Sequence, residues 1–224
     1  MPIYPMPLCR VEIALLSVVA ERLCTLLVQR EEEPYNGFWG LPGGVLRLEL
    51  DKDLNAAACR VARERLRVES PALRQLTAVG AQGRDPRGKH DWGLSVLFYA
   101  LVPEGSVLPT SGKRVSDLKW FAADDELPKM AFDYADLVRQ AVEATRSSVA
   151  NLQFPPGFVP ERFTLGELQA LSEQVLGCRL DKASFRRKLS DRGIVESLPG
   201  EQLRGNAHRP AAIYTLRAPE GKPS

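Results

Sequence analysis

GFWGLPGGVLRLELDKDLNAAACRVARERLRV, residues 37–68, sets a Gly/Pro-rich loop directly ahead of a helix. Asp53 is the expected N-cap, its short carboxylate taking a backbone N–H of the first turn. Ala56, Ala57, Cys59, Val61 and Ala62 then lie inside a helical stretch of roughly 53–67. Arg60 and Glu64 are four residues apart, so they share a face and can pair; Arg65 stands four after Val61 on the neighbouring stripe. By itself this is an amphipathic helix with a solvated, charged face. What sets it apart is the Gly43-Gly44 pair ahead of it, where missing side chains let backbone approach a ligand closely.

Upstream, residues 11–19 and 23–28 are apolar and rich in β-branched side chains, and Ala20-Glu21-Arg22 separates them, which predicts a hairpin. Residues 31–42 hold the acidic run Glu31, Glu32, Glu33 with Pro34, Gly37, Gly40 and Pro42, the composition of a loop. Downstream, 76–79 and 93–102 are expected strands. In the second, Ser95, Leu97, Tyr99 and Leu101 alternate with Val96, Phe98 and Ala100, so both faces should be buried. The polar GRDPRGKHDWG (83–93) connects them. A short strand at 118–122 and a helix at 131–147, with Leu137, Ala141 and Ala144 at helical spacing, complete the region. Strands mixed with two helices in the first 150 residues point to an α/β class, an α/β/α sandwich.

The whole chain has 224 residues and a net charge of +2, but the charge is unevenly placed. Residues 1–150 carry 19 Lys and Arg against 20 Asp and Glu, whereas residues 151–224 carry 11 against 8. The basic excess of the last third points to a polyanionic partner there. The four cysteines, Cys9, Cys24, Cys59 and Cys178, form no C-x-x-C pair; this argues against a zinc site or a disulfide framework and fits a reducing cytoplasm. No apolar run approaches membrane-spanning length. The first residues, MPIYPMPLCR, lack the basic end and apolar core of a signal peptide.

NLQFPPGFVP (151–160) is a Pro/Gly-containing connector and the best domain boundary, so domains are expected at 1–150 and 161–217, with a tail at 218–224. Thr164 and Glu167 form a capping box opening a helix to about Leu176, with Leu165, Leu168, Leu171 and Val175 as its apolar stripe and Gly177 closing it. Asp181 caps a second helix ended by Gly193. Phe185 and Leu189 face its core, and Lys182, Arg186, Arg187 and Lys188 face outward. Two strands, at 194–195 and 212–216, flank the hairpin PGEQLRGNAHRP (199–210). Helix, turn, basic helix and hairpin is the order of a winged helix-turn-helix. On duplex DNA, Arg186 or Arg187 suits a guanine edge and Lys182 and Lys188 suit phosphates, while Arg204, Asn206, His208 and Arg209 reach a neighbouring phosphate or the minor groove. An RNA-binding or scaffolding role for the same basic helix is the weaker alternative. RNA sites usually add exposed aromatic rings, and here the only one within 181–209 is the core-facing Phe185.

The segment 37–68 resembles the Nudix box, G-x5-E-x7-R-E-U-x-E-E-x-G-U, in which the carboxylates hold Mg²⁺ and activate water on a pyrophosphate. Arg60 matches the box arginine, two residues further from Gly44 than in the pattern. Val61, Glu64 and Arg65 stand at the three acid positions that follow the arginine, and Arg67 at the glycine. Mg²⁺ wants oxygen ligands in near-octahedral array, and one glutamate beside an arginine is a poor site. Read over roughly 10–217, the chain resembles the Nudix-related transcriptional regulators of the NrtR type. The resemblance rests on FWGLPGG (38–44), RDPRG (84–88), AFDYADL (131–137), FTLGELQAL (163–171), DKASFRRKL (181–189) and RGNAHRPAAIY (204–214). Tyr134 stands where that family commonly has a histidine.

The resemblance implies a catalytically impaired Nudix domain that binds ADP-ribose or a related nucleotide or sugar metabolite as effector, with no cofactor or metal required. It also implies a homodimeric repressor on a palindromic DNA operator, often of NAD metabolism. For the effector's diphosphate, Arg47, Arg65, Arg84 and Arg87 are the expected cations, and Gly43 and Gly44 the close backbone. Trp39, with Phe38 and Trp92, offers a stacking face for a base. The enzyme alternative is a divergent Nudix pyrophosphatase on a nucleoside diphosphate derivative, for which Glu49, Asp51 or Asp53 would have to supply a stray ligand.

Overall fold

Backbone pairing organises the first two-thirds of the chain around one mixed sheet. The computed structural model describes residues 6–69, 72–87, 92–103, 105–107, 115–203 and 211–217. Strand β1 (Leu8–Val19) turns into β2 (Arg22–Arg30) through Ala20 and Glu21, both at positive φ, whose twist matches that of the flanking strands. The short β3 (Trp39–Gly40) and β4 (Gly43–Val45) follow, then helix α1 (Leu54–Leu66), β5 (Arg74–Gln82), β6 (Trp92–Leu101), β7 (Val115–Ala122) and helix α2 (Tyr134–Ala150). The sheet order is β3-β2-β1-β6-β5, with β4 beside β1 and β7 beside β2. β1 is the central strand, parallel to β6 and antiparallel to β2 and β4.

Alternation along β1 assigns the two faces. Val11, Ile13 and Leu15 pack with α1 residues Ala57, Ala58, Val61, Ala62 and Leu66. Arg10 and Glu12 therefore point to the opposite face, where Tyr134 of α2 meets Glu12. A helix thus lies on each side of the sheet. β4 repeats the alternation: a Cβ added at Gly44 would meet Val61, and one added at Gly43 would meet Glu12.

The expected loop 31–42 and the expected helix 131–147 both change. β3 lies inside the expected loop 31–42, held by pairing to β2 and by Trp39 N–H donating to the Lys129 carbonyl. The helix expected at 131–147 runs instead over Tyr134–Ala150. Its start is delayed because Ala131 N–H donates to the Trp39 carbonyl and Phe132 sits at φ +50°, outside helical geometry.

The chain divides into two compact units, Met1–Thr145 and Arg146–Ser224, the division falling within α2. In the second unit, Arg146 Nε donates to the Val175 carbonyl of helix α3 (Leu165–Leu176). Helix α4 (Lys182–Asp191) follows, then the antiparallel pair β8 (Val195–Leu203) and β9 (Ala211–Leu216). Phe163 exchanges backbone hydrogen bonds with Tyr214 of β9, adding a one-residue third strand to that hairpin. Phe163, Leu168, Val175, Phe185, Leu189 and Ile213 are buried there.

Candidate functional site

Glu12 is wholly buried in the middle of an apolar strand, so its charge must be answered locally. Arg10 Nε donates to Glu12 Oε1 at 2.8 Å, the Tyr134 hydroxyl donates to the same oxygen at 2.9 Å, and Ser95 Oγ stands 3.4 Å away. Burial alone would depress the Arg10 guanidinium, but the Glu12 carboxylate overrides this and holds it above its ordinary value. Burial, reinforced by the Glu12 charge, pushes the Tyr134 hydroxyl up, so it stays protonated and donating. Glu12 Oε2 has no hydrogen-bond partner among the described residues and lies against Gly43, where an added Cβ would fall 1.6 Å from it. Gly43 is thus required by Glu12, its cross-strand neighbour.

Three further arginines gather on this side. Arg84 donates two hydrogen bonds to Asp133, at 2.7 and 2.8 Å, and a third to Ser95 Oγ at 2.8 Å. Arg87 grips the buried Asp85 through Nε at 2.7 Å and through Nη2. Burial alone would push the Asp85 carboxyl up, yet the Arg87 hydrogen bonds hold it below the usual carboxylate range. Arg30 donates to the carbonyls of Pro34 and Glu32, and its guanidinium is depressed by burial and by the neighbouring Arg87 charge. Both Arg30 and Arg87 lie over the ring of Phe132, at 5.2 and 4.7 Å from its centroid. Tyr35 and Tyr134 pack edge-on against that ring, and Tyr35 also touches Phe38, over which Lys129 sits at 4.1 Å. Cations interleaved with aromatic rings are the chemistry that receives a nucleotide's phosphates and base.

The expected effector residues separate into two sets. Gly43, Arg84 and Arg87 join the Glu12 cluster. Arg47 and Gly44 belong to the α1 face, where Arg47 reaches Glu64 at 3.4 Å; Arg65 is a half-buried residue of α1 itself. Trp39 turns away from Tyr134, since its neighbour Gly40 faces the Tyr134 ring, and it packs edge-on against Phe121. Trp92 is exposed over Gly80 at the β5–β6 edge. Sequence reasoning missed Arg10, Glu12, Arg30, Tyr35 and Phe132. One signal was present: a lone glutamate inside VEIALLSVV.

The box helix is built for structure. Asp53 accepts from Ala56 N–H as its N-cap. Arg60 binds Asp51 through two hydrogen bonds of 2.7 Å, the Val45 carbonyl at 3.0 Å and Glu64 at 3.2 Å, locking the loop onto the helix. The Arg60 hydrogen bonds hold the Asp51 carboxyl below its usual range. Val61 is buried in the core under Gly44. The Mg²⁺ that a Nudix box would hold therefore does not fit: one acid position is core valine, the next is a glutamate engaged by Arg60 and Arg47, and the third is Arg65. Of the stray candidates Glu49, Asp51 and Asp53, Asp51 is committed to Arg60 and Asp53 to the helix cap, while Glu49 is exposed. Among the described residues no group of three or more His, Cys, Asp or Glu is placed to hold a metal ion.

In the second unit the capping box of Thr164 and Glu167 opens α3, and Gly177, at φ +70°, closes it. Glu173 then clamps the turn into α4. It accepts from Leu180 N–H at 3.0 Å, Gln169 at 2.9 Å and Arg179 at 2.8 Å, and these bonds bring its carboxyl down to about 2. Asp181 caps α4 by accepting from Ser184 N–H. Phe185 and Leu189 are buried, and Lys182, Arg186, Arg187 and Lys188 are all exposed. The wing candidates Arg204, Asn206, His208 and Arg209, with His90 and the tail 218–224, lie outside the described residues.

Family models match both parts: the NUDIX domain over residues 10–141 and the NrtR DNA-binding winged helix domain over residues 157–216. The chain is 35% identical, over 94% of its length and 82% of the relative's, to the ADPR responsive transcriptional repressor NtrR of Acinetobacter baylyi. It is similar to Shewanella oneidensis NrtR complexed with a 27mer DNA, at 31% identity and TM-score 0.74 over 93% of both chains. The NUDIX domain of that Shewanella protein, complexed with ADP ribose, matches at 34% identity and TM-score 0.57, covering 63% of this chain and 90% of that one. With both domains matched in order and the likeness running almost end to end, this chain belongs to the NrtR family, a Nudix domain joined to a C-terminal winged helix.

Proposed function

We propose that this protein is a DNA-binding transcriptional repressor whose Nudix domain senses ADP-ribose without hydrolysing it. The observation that carries the sensing role is Val61: at an acid position of the box stands a buried core residue, so α1 braces the sheet rather than holding a metal. The ligands of its relatives support the rest, since Shewanella NrtR is complexed with a 27mer DNA and its NUDIX domain with ADP ribose. The effector enters the side of the sheet where Gly43, Arg84 and Arg87 meet Glu12, in a domain of residues 1–150. After the connector 151–160, the winged helix of 161–217 presents Lys182, Arg186, Arg187 and Lys188 to the major groove. It acts as a homodimer on a palindromic operator, in the cytoplasm where the chromosome is. No cofactor is needed; ADP-ribose acts as effector.

The test is operator binding by fluorescence anisotropy, using DNA from upstream of the protein's own gene, with and without ADP-ribose, alongside an assay for AMP release with Mg²⁺ or Mn²⁺. Operator binding should change with ADP-ribose, and the folded Arg186→Ala/Arg187→Ala double variant should lose about 1–3 kcal/mol per base-reading arginine. Turnover on the order of 1 per second or faster, as in ordinary enzymes, overturns the non-catalytic role. Unchanged binding by the double variant removes α4 from the DNA interface.

A further inference from the structure

We infer that Arg30 and Arg87, bracing the ring of Phe132, form the seat of the effector's diphosphate. The inference rests on the sensing role above and names the residues that make it work. Four guanidiniums meet on the Glu12 side of the sheet, and three have a carboxylate: Arg10 with Glu12, Arg84 with Asp133 and Arg87 with Asp85. Arg30 differs, since its hydrogen bonds among the described residues end on the carbonyls of Glu32 and Pro34. Among the described residues these four guanidiniums therefore outnumber their paired carboxylates by one. Burial and the Arg87 charge both work against the Arg30 guanidinium. An anion lying between the two arginines relieves that repulsion and supplies the missing acceptors. A diphosphate bridging two sugars carries one negative charge on each phosphate, and such oxygens on planar guanidinium forks give strong charge-assisted hydrogen bonds.

Phe132 holds the geometry. It occupies a left-handed conformation, φ +50°, that a bulky side chain seldom adopts. Backbone on one side fixes it there, through Ala131 N–H to the Trp39 carbonyl and Trp39 N–H to the Lys129 carbonyl. Its ring then lies under both guanidiniums, while Tyr35 stands edge-on beside it and is exposed enough to meet the nucleoside end of a ligand. Strain of this kind concentrates where a ligand is clamped. A smaller residue would let Arg30 and Arg87 swing apart or collapse onto nearby acids.

The full-length protein is titrated by calorimetry with ADP-ribose and, separately, with inorganic pyrophosphate, the bare form of the group proposed to sit there. Arg30→Ala and Arg87→Ala are each expected to weaken ADP-ribose binding about tenfold or more. Arg30→Lys should recover only part, since it restores charge but not the fork. Phe132→Ala should weaken binding although no charge is removed. Arg22→Ala, which deletes an exposed arginine paired with Asp125, should bind as wild type. Thermal melts and effector-free operator binding confirm that each variant is folded. Wild-type affinity in a folded Arg30→Ala variant overturns the inference. If the wild type ignores ADP-ribose, the sensing role fails, and pyrophosphate decides the seat alone: binding lost in Arg30→Ala upholds it, and no binding, or binding indifferent to Arg30, ends it.

Discussion

Arg67 shows how a single position can depart from its family pattern at a measurable cost. It ends α1 in the left-handed conformation, φ +53°, with its N–H donating to the carbonyls of Ala62 and Arg63. A side chain there meets its own backbone, which glycine avoids. Arg67→Gly should therefore raise stability by about 1 kcal/mol, somewhat offset by the extra freedom glycine has in the unfolded chain. Chemical denaturation checks this; an unchanged or lower midpoint at equal m-value would show that the arginine side chain compensates. The glycine's loss was plain from 37–68, as was Arg60 pairing with Glu64. The role of Glu12 was not: its partners Arg10, Ser95 and Tyr134 come from three elements, and only the fold brings residues 12, 95 and 134 together. Arg30 and Phe132 were hidden for the same reason. Arg47 pairs with Glu64 of α1 rather than gathering with Arg84, because proximity to Gly43-Gly44 in sequence does not say which face of the sheet a side chain joins.

At the scale of elements, long periodic segments were legible and short ones were not. The N-caps Asp53, Thr164 and Asp181 and the C-terminal Gly177 announced three helices, because each satisfies backbone groups the helix itself leaves open. β3 and β4, of two and three residues, exist through pairing with β2 and β1 and carry no pattern of their own. The turn between α3 and α4 was also opaque, since Glu173 looks like any helix-surface acid. Its carboxylate receives the Leu180 N–H and the Gln169 and Arg179 side chains, so it fixes the angle at which α4 leaves. Those bonds favour the charged form. What they contribute is fully present above the ordinary carboxylate range and is lost as pH falls through the folded value of about 2. A carboxyl-detected NMR titration should find Glu173 ionised well below pH 4, about where free glutamate is half protonated. Glu173→Ala should speed hydrogen exchange at the Leu180 amide and weaken operator binding while the cationic face of α4 is untouched. Exchange at the wild-type rate would mean the turn is held without it.

For the molecule as a whole, the two activities must be linked energetically if one is to control the other. An effector acts on DNA binding only by binding the DNA-competent and DNA-incompetent states with different affinity. Thermodynamic linkage then makes the effect mutual: whatever factor ADP-ribose applies to operator affinity, saturating operator applies to ADP-ribose affinity. Couplings of this kind commonly amount to about 1–3 kcal/mol, roughly 5- to 150-fold. A single winged helix covers one half-site, so a palindromic operator calls for two chains and hence two effector sites per bound DNA. The expected outcome is one factor measured twice: by anisotropy of operator DNA across ADP-ribose concentrations, and by calorimetry of ADP-ribose into protein with and without operator, at one salt concentration because phosphate contacts make DNA affinity salt-dependent. Variants at Arg30 or Arg87 should lower effector affinity in both experiments and leave effector-free DNA affinity alone. Variants at Arg186 or Arg187 should do the reverse. Two factors that disagree would place a third equilibrium, such as association of two chains, between effector and DNA. A factor of one in both would leave two binding activities in one chain without regulation between them.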